Sequence, residues 1–170
     1  MKTLKQNWMF MLATVLFMLV LAFSAPDATN ALPGAVYAVF SIATVITNVG
    51  KAIAAGRMIG ATPSQAEPNF IGIGVGATGG AGRGALAADT ALTTPVESRV
   101  AGTSTRVTTT QTNDTYQSVA TIPITATRAI DEAGMFDAST AGQMFFSATF
   151  AIINLASGDS LQLTCKTQFT

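Results

Sequence analysis

Residues 128–164 constrain the fold of this chain more than any other stretch of its sequence. They contain short apolar runs separated by breaks rich in Gly, Ser and Asp, which is the pattern of consecutive antiparallel strands. Side chains at every second position share one face of a strand. In the longest run the apolar side chains at that spacing are Met144, Phe146, Ala148, Phe150 and Ile152. We therefore predict that this stretch ends a meander in a mainly β domain.

Further strand signals precede this stretch and begin at Phe70. Two Thr- and Val-rich segments, typical of half-exposed strands, lie on either side of the turn signal Asn113-Asp114. Pro123 removes one backbone donor, which predicts an edge position or a bulge. With about six or seven strands joined by short turns, residues 68–170 are predicted to form an antiparallel β-sandwich or a jelly-roll-like domain.

Residues 32–67 read as an apolar connector between this domain and the N-terminal segment. The Ala-rich part after Asn48 favours a helix over residues 47–59. The earlier part is rich in β-branched residues, and its structure stays open. Pro63 and Pro68 mark a loop that we take as the boundary of the main domain.

Residues 1–31 form a hydrophobic N-terminal arm. Two early lysines, the uncharged apolar run 8–23 and a small residue at Ala31 are typical of a secretory signal peptide. If the arm is retained, we expect a helix, with one seam of alternating four- and three-residue spacings formed by Trp8, Leu12, Val15 and Leu19. A helix that is apolar on every face must be enclosed by protein or lipid. A cleaved signal, a buried assembly arm and a membrane anchor therefore all remain open.

The residue types present argue against most enzyme classes. The chain has no histidine, which excludes His-based catalytic triads and His metal sites. Its net charge is zero and its basic residues are scattered, so nothing indicates nucleic-acid binding. Cys165 is the single cysteine, and its strand context predicts a small buried apolar side chain. We predict no enzyme activity, no catalytic residue, no cofactor and no metal.

The acidic residues near the start of residues 128–164 do not form an obvious catalytic pair. Asp131 and Glu132 are adjacent on a predicted strand, so their side chains should point to opposite faces. We expect them, together with Asp137 and the acids in the predicted turns, to be solvated or to cap strand ends and turns.

A glycine pattern follows the first strand of the main domain. Gly74, Gly76 and Gly79 satisfy the dinucleotide-binding spacing GxGxxG. That site needs a helix directly after the glycines, whereas this sequence continues into more glycines and a Thr-rich region. We instead predict a flexible loop, or close backbone packing at a subunit contact. The candidate assembly contacts are therefore these three glycines and the arm residues Trp8, Leu12, Val15 and Leu19.

From residue 47 to the C-terminus the chain resembles a family of small β-rich virion proteins of tailed bacteriophages. The resemblance rests on the order of six phrases, each of them weak alone: ITNVGKAIAAGRM (46–58), PNFIGIGVGA (68–77), ALAADTALTTPVESR (85–99), TNDTYQSVATI (112–122), AIDEAGMFDAS (129–139) and LASGDSLQLT (155–164). The hydrophobic arm departs from the pattern of the family.

The resemblance implies a structural component of a phage particle with no catalytic residues. That component would be a capsid decoration or cement protein, or a part of a tail or fibre attachment. We expect it to act in the virion by self-association, as a homotrimer, and by docking on the major capsid protein or another virion protein. The alternative from another class is a secreted or membrane-anchored surface protein, such as a filament subunit, with the arm in contact with the membrane.

Overall fold

The structure is a computed structural model that describes residues 17–20, 35–36, 43–59, 66–76 and 84–169. Within these ranges the chain forms ten strands and one helix. In chain order they are β1 (Phe17–Val20), β2 (Ala35–Val36), β3 (Ala43–Ile46), α1 (Asn48–Met58), β4 (Phe70–Val75), β5 (Thr94–Ala101), β6 (Thr103–Val107), β7 (Thr115–Pro123), β8 (Arg128–Phe136), β9 (Met144–Leu155) and β10 (Ser160–Gln168).

The strands form two sheets. Sheet A has the order β1-β10-β7-β6, and β2 also pairs with β10; sheet B has the order β3-β9-β8-β4-β5. Every pairing is antiparallel except that of β2 with β10. The prediction of a mainly β, antiparallel two-sheet domain is therefore confirmed.

A single large core unites the two sheets. Sheet A contributes Ile122 and Leu163, and sheet B contributes Ile71 and Phe146, all of them fully buried. Cys165 belongs to the same core, as predicted, and burial raises the pKa of its thiol far above the ordinary value. Apolar side chains on the alternating positions of both sheets thus supply the hydrophobic contribution to stability.

Helix α1 lies inside the predicted range 47–59 and is fixed to the start of β9. Thr47 caps it: its hydroxyl accepts a hydrogen bond from the Gly50 N–H at 2.9 Å and donates to the Met144 carbonyl. Such a cap satisfies a backbone donor that the first helical turn leaves free. Gly50 is required at this contact, because a Cβ there would overlap the Phe145 carbonyl. The helix is therefore held closely against one end of sheet B.

Two expectations about the strands change in the structure, and a third is confirmed. The last strand does not continue the β8–β9 hairpin as a meander, because β10 lies in sheet A. Ile152 is 50% exposed and Ile153 is buried instead, and the pairing of β8 with β9 is irregular there, because β9 has two extra residues between its pairs with Ile130 and Glu132. Pro123 is confirmed at an edge: β6 pairs only as far as Val119, so Pro123 has a described neighbour on one side alone.

The predicted helical arm is wrong where the structure describes it. Phe17–Val20 is a strand that pairs antiparallel with Thr164–Thr167 of β10. The candidate contact Leu19 lies in this strand, whereas Trp8, Leu12 and Val15 lie outside the described residues. Among the described residues, no helix has both the length and the apolarity needed to cross a membrane.

Candidate assembly surface

A groove of about 720 Å³ opens between the C-terminal half of α1 and the β6–β7 hairpin. It is built from parts of the chain that are distant in sequence, brought together where α1 packs on β9 and where the chain end passes the hairpin. The lining residues are Ile53, Ala54, Arg57, Met58, Glu67, Pro68, Arg106, Asn113, Tyr116, Phe145 and Phe169. Its volume is within the range of ligand-binding clefts.

The groove has a buried apolar floor and an exposed apolar rim. Ile53 and Phe145 are buried and belong to the main core. Met58 is 74% exposed and Phe169 is 48% exposed, and Ile59, just after the helix, is also exposed. Single exposed apolar side chains are ordinary, but a cluster beside a concave apolar surface is typical of an interaction site.

Two arginines and one glutamate supply the charges of the groove lining. Arg57 and Arg106 are both exposed, and neither guanidinium group forms an ion pair or a hydrogen bond with any described residue. Glu67, in contrast, accepts a hydrogen bond from the Tyr116 hydroxyl at 3.3 Å. The groove therefore presents two cations that the described part of the chain leaves without a partner.

Tyr116 makes one wall of the groove rigid. Its hydroxyl lies 3.0 Å from the Pro68 carbonyl and 3.0 Å from the Ser104 Oγ. Burial of the ring, with a smaller contribution from the nearby charge of Glu67, raises the pKa of Tyr116 to about 12. These bonds join the segment before β4 to both strands of the β6–β7 hairpin.

The β6–β7 turn is organised by Asp114. Its carboxylate accepts hydrogen bonds from the backbone N–H groups of Thr109, Thr110 and Gln111 at 2.8–2.9 Å. Desolvation opposes the effect, but these bonds hold the pKa of Asp114 below its ordinary value. The Asp114 carbonyl also accepts the Phe169 N–H at 2.9 Å, which places Phe169 at the groove rim. The carboxylate of Asp114 therefore points toward the backbone of its own loop.

Asp131 and Glu132 are buried in β8, so a solvated position is wrong for both, although both bind backbone groups at strand ends as expected. Each is 1% exposed. Glu132 lies directly opposite Gly74 of β4, and a Cβ on that glycine would overlap its carboxylate. The missing side chain at Gly74 therefore creates the space that Glu132 fills.

Both carboxylates bind backbone groups inside the fold. Glu132 accepts the Thr94 N–H at 3.2 Å, and Asp131 accepts the Gly76 N–H at 3.2 Å. Burial is the main cause that raises the pKa of Glu132, and the neighbouring Asp131 charge adds to it. The pair fixes the ends of β4 and β5, and it is enclosed by the protein itself.

The turn acids behave as predicted. Asp137 accepts the Gln143 N–H at 2.6 Å and closes the β8–β9 turn, and Asp159 accepts the Ala156 N–H at 2.7 Å before β10. In the described residues, no group of three or more acidic or cysteine side chains is arranged to hold a metal ion.

A second cleft of about 500 Å³ lies along β5, but its arginine is already engaged. The Arg99 guanidinium stacks 3.3 Å from the centre of the Phe136 ring. It also donates to the carbonyls of Ala138 and Ala141 at 3.1 Å and 2.6 Å. Arg99 therefore closes one face of sheet B and is not a free binding group.

Of the glycine and arm residues named from the sequence, the structure describes Gly74, Gly76 and Leu19, and these lie in or beside different sheets. Gly74 is buried in β4, and Gly76, with φ +97°, follows that strand directly. Leu19 lies opposite Cys165 in sheet A, while Gly79 lies outside the described residues. The role of these residues as assembly contacts stays a prediction. Sequence reasoning missed the groove, because no local pattern links residues 53–58 with residues 106, 116 and 169.

Comparisons with known proteins give no family assignment: no protein-family model, no curated protein and no solved structure matches the chain.

Proposed function

We propose that this protein is a structural component of a virion that decorates or cements the capsid by self-association and by docking on the major capsid protein. The observation that carries the proposal is the groove beside α1, with its buried apolar floor and its exposed rim at Met58 and Phe169. The resemblance of the ordered sequence phrases to phage virion proteins gives the particle context.

Surface composition supports an assembly role. Charged residues make up only 11% of the chain, and much of the exposed surface is Thr and Ser. A free monomer usually carries more surface charge, which keeps copies apart. A surface with few charges costs less to desolvate when it is buried against another protein.

Strand β6 supports self-association. It is at the edge of sheet A, with β7 as its one described partner, and its Thr- and Ser-rich sequence is largely exposed. An edge strand offers free backbone donors and acceptors, to which a strand of another copy can add. In the proposed homotrimer these edges bind neighbouring copies, and the groove binds the capsid protein.

Docking would stabilise a shell by burying apolar surface. A specific interface of ordinary size buries about 800 Å² on each partner. The groove with its rim can form the apolar centre of such an interface, surrounded by the polar side chains of the hairpin.

Immunogold electron microscopy of purified particles tests the proposal, with an antibody raised against the full chain. A regular distribution of gold over the capsid is expected. Gold on the tail or fibres alone would replace capsid decoration with tail or fibre attachment. Label on free filaments or on cell envelopes, with none on particles, would contradict a virion role and support the secreted or membrane-anchored alternative.

A further inference from the structure

We propose that the groove beside α1 binds a short peptide segment of a partner protein that carries a carboxylate side chain among apolar residues. This inference rests on the proposed function, since it specifies the chemistry of the docking partner. It names the class of ligand that the groove lining fits.

The apolar floor and rim of the groove indicate that the ligand carries apolar side chains. Ile53 and Phe145 are buried at the base, while Met58 and Phe169 stand exposed above them. An aliphatic or aromatic side chain placed between them would remove apolar area of both partners from water. Met58 is flexible enough to adjust to the shape of that side chain.

Arg57 and Arg106 indicate that the ligand also carries an acidic side chain. Both line the groove, and no described residue forms an ion pair or a hydrogen bond with either guanidinium group. Guanidinium groups bind carboxylates through paired, charge-assisted hydrogen bonds. Glu67 accepts a bond from Tyr116, and the carboxylate of Asp114 is held by three backbone N–H groups. The two arginines are therefore available for a carboxylate on the ligand.

The placement of the charges favours a peptide over an anionic membrane surface. Membrane binding by charge uses clusters of four or more basic residues, whereas this lining has two arginines with Glu67 among them. A site with two cations and an adjacent apolar floor suits one acidic side chain with apolar neighbours. The Thr47 cap and the Tyr116 hydrogen bonds hold both walls in place, so little ordering is needed when the ligand binds.

Selection from a yeast-displayed library of random nine-residue peptides tests the inference, with the purified full-length protein as the target. The enriched peptides should contain Asp or Glu within three residues of an aliphatic or aromatic side chain. A synthetic peptide of the enriched sequence should lose about tenfold or more in affinity for Arg57→Ala and for Arg106→Ala, as expected when a charge-assisted bond is removed. Phe169→Ser should weaken binding as well.

Lys51→Ala is the matched control, because Lys51 is an exposed cation on the same helix that does not line the groove. This variant should bind the peptide as the unchanged protein does. Unchanged thermal unfolding of every variant will show that the fold is intact.

Failure of selection, enrichment of basic or uncharged peptides, or arginine variants that bind the peptide as tightly as the unchanged protein would each overturn the inference. Arginine-dependent binding to phosphatidylserine vesicles, without peptide binding, would also overturn it in favour of a membrane surface. These results are independent of the microscopy: label on capsids with failed selection retains the virion role and removes the acidic-peptide ligand. Successful selection with no label on particles retains the acidic-peptide ligand and removes the virion role.

Discussion

Sheet B and the groove beside α1 use the same kinds of side chain in opposite ways. In the sheet, Phe146 is fully buried and Arg99 is stacked on an aromatic ring and bonded to two carbonyls. In the groove, Phe169 is half-exposed, and the arginines have no partner among the described residues. The first region uses its side chains to fold the chain. The second leaves them available to another molecule.

The contrast separates folding from docking. A buried aromatic ring or carboxylate stabilises only if its surroundings fit it, so changes in sheet B should alter the free energy of unfolding. Exposed side chains at the groove contribute little to that free energy. Their removal should change binding and leave the fold intact.

Matched phenylalanine substitutions give the largest expected difference. Phe146→Ala should lower the free energy of unfolding by about 3–5 kcal/mol, because it leaves a cavity in the core between the sheets. Phe169→Ala should change it by about 0.5 kcal/mol or less. Urea unfolding followed by circular dichroism measures both values. Similar losses for the two variants would show that Phe169 is part of the core.

Matched glycine substitutions should give the next largest difference in the free energy of unfolding. Gly74→Ala should destabilise the fold by about 1–3 kcal/mol, because the new Cβ would meet the Glu132 carboxylate and, at 2.9 Å, the Thr94 carbonyl. Gly84→Ala is the control, since no described residue lies within 4 Å of a Cβ there. Thermal unfolding of the two variants measures the difference. A Gly74→Ala protein as stable as the control would mean that Glu132 does not lie over Gly74.

Matched arginine substitutions should give a smaller difference in the free energy of unfolding. Arg99→Ala should cost about 1–2 kcal/mol, because it removes the stacking on Phe136 and the bonds to two carbonyls. Arg57→Ala should leave the unfolding midpoint in urea unchanged. Equal midpoints for both variants would remove the distinction between an engaged arginine and a free one.

The pH dependence of stability gives the finest test of the buried carboxylate. The pKa of Glu132 is raised above its ordinary value of 4.5, so the folded state binds this proton more tightly than the unfolded chain does. The Glu132 contribution to stability should therefore increase as pH falls from neutral through the raised pKa, and should level off below about pH 4.5.

Glu132→Gln isolates this effect from groups whose pKa is shifted in the opposite direction, such as Glu97, whose pKa is lowered. The difference in unfolding free energy between the unchanged protein and the variant, measured from pH 7 to pH 4, should shift in favour of the unchanged protein on acidification. A difference that is constant with pH would mean that Glu132 is solvated.

The strands and turns could be read from the sequence because their signals are local. Alternating apolar residues, Asp137 and Asp159 in turns, and the Ala-rich run of α1 each depend on near neighbours in the chain. The prediction for Ile152 failed because the irregular pairing with β8 interrupts the alternation of inward and outward residues in β9. A single strand does not reveal its partner's register.

The candidate site could not be predicted in the same way. The burial of Glu132 depends on Gly74 in a neighbouring strand, and the groove depends on α1, the hairpin and Phe169 meeting at one end of the sandwich. The apolar run near the N-terminus was predicted as a helix, but backbone pairing with β10 makes Phe17–Val20 a strand. Long-range contacts decide each of these features.

Photo-crosslinking in assembled particles tests the docking role of the groove most directly. A benzoylphenylalanine at position 169 is compared with one at position 152, because Phe169 and Ile152 are equally exposed but only Phe169 lines the groove. We expect irradiation to join position 169, but not position 152, to a second virion protein. Crosslinks from position 152 alone, or equal yields from the two positions, would contradict the assignment of the groove as the docking surface.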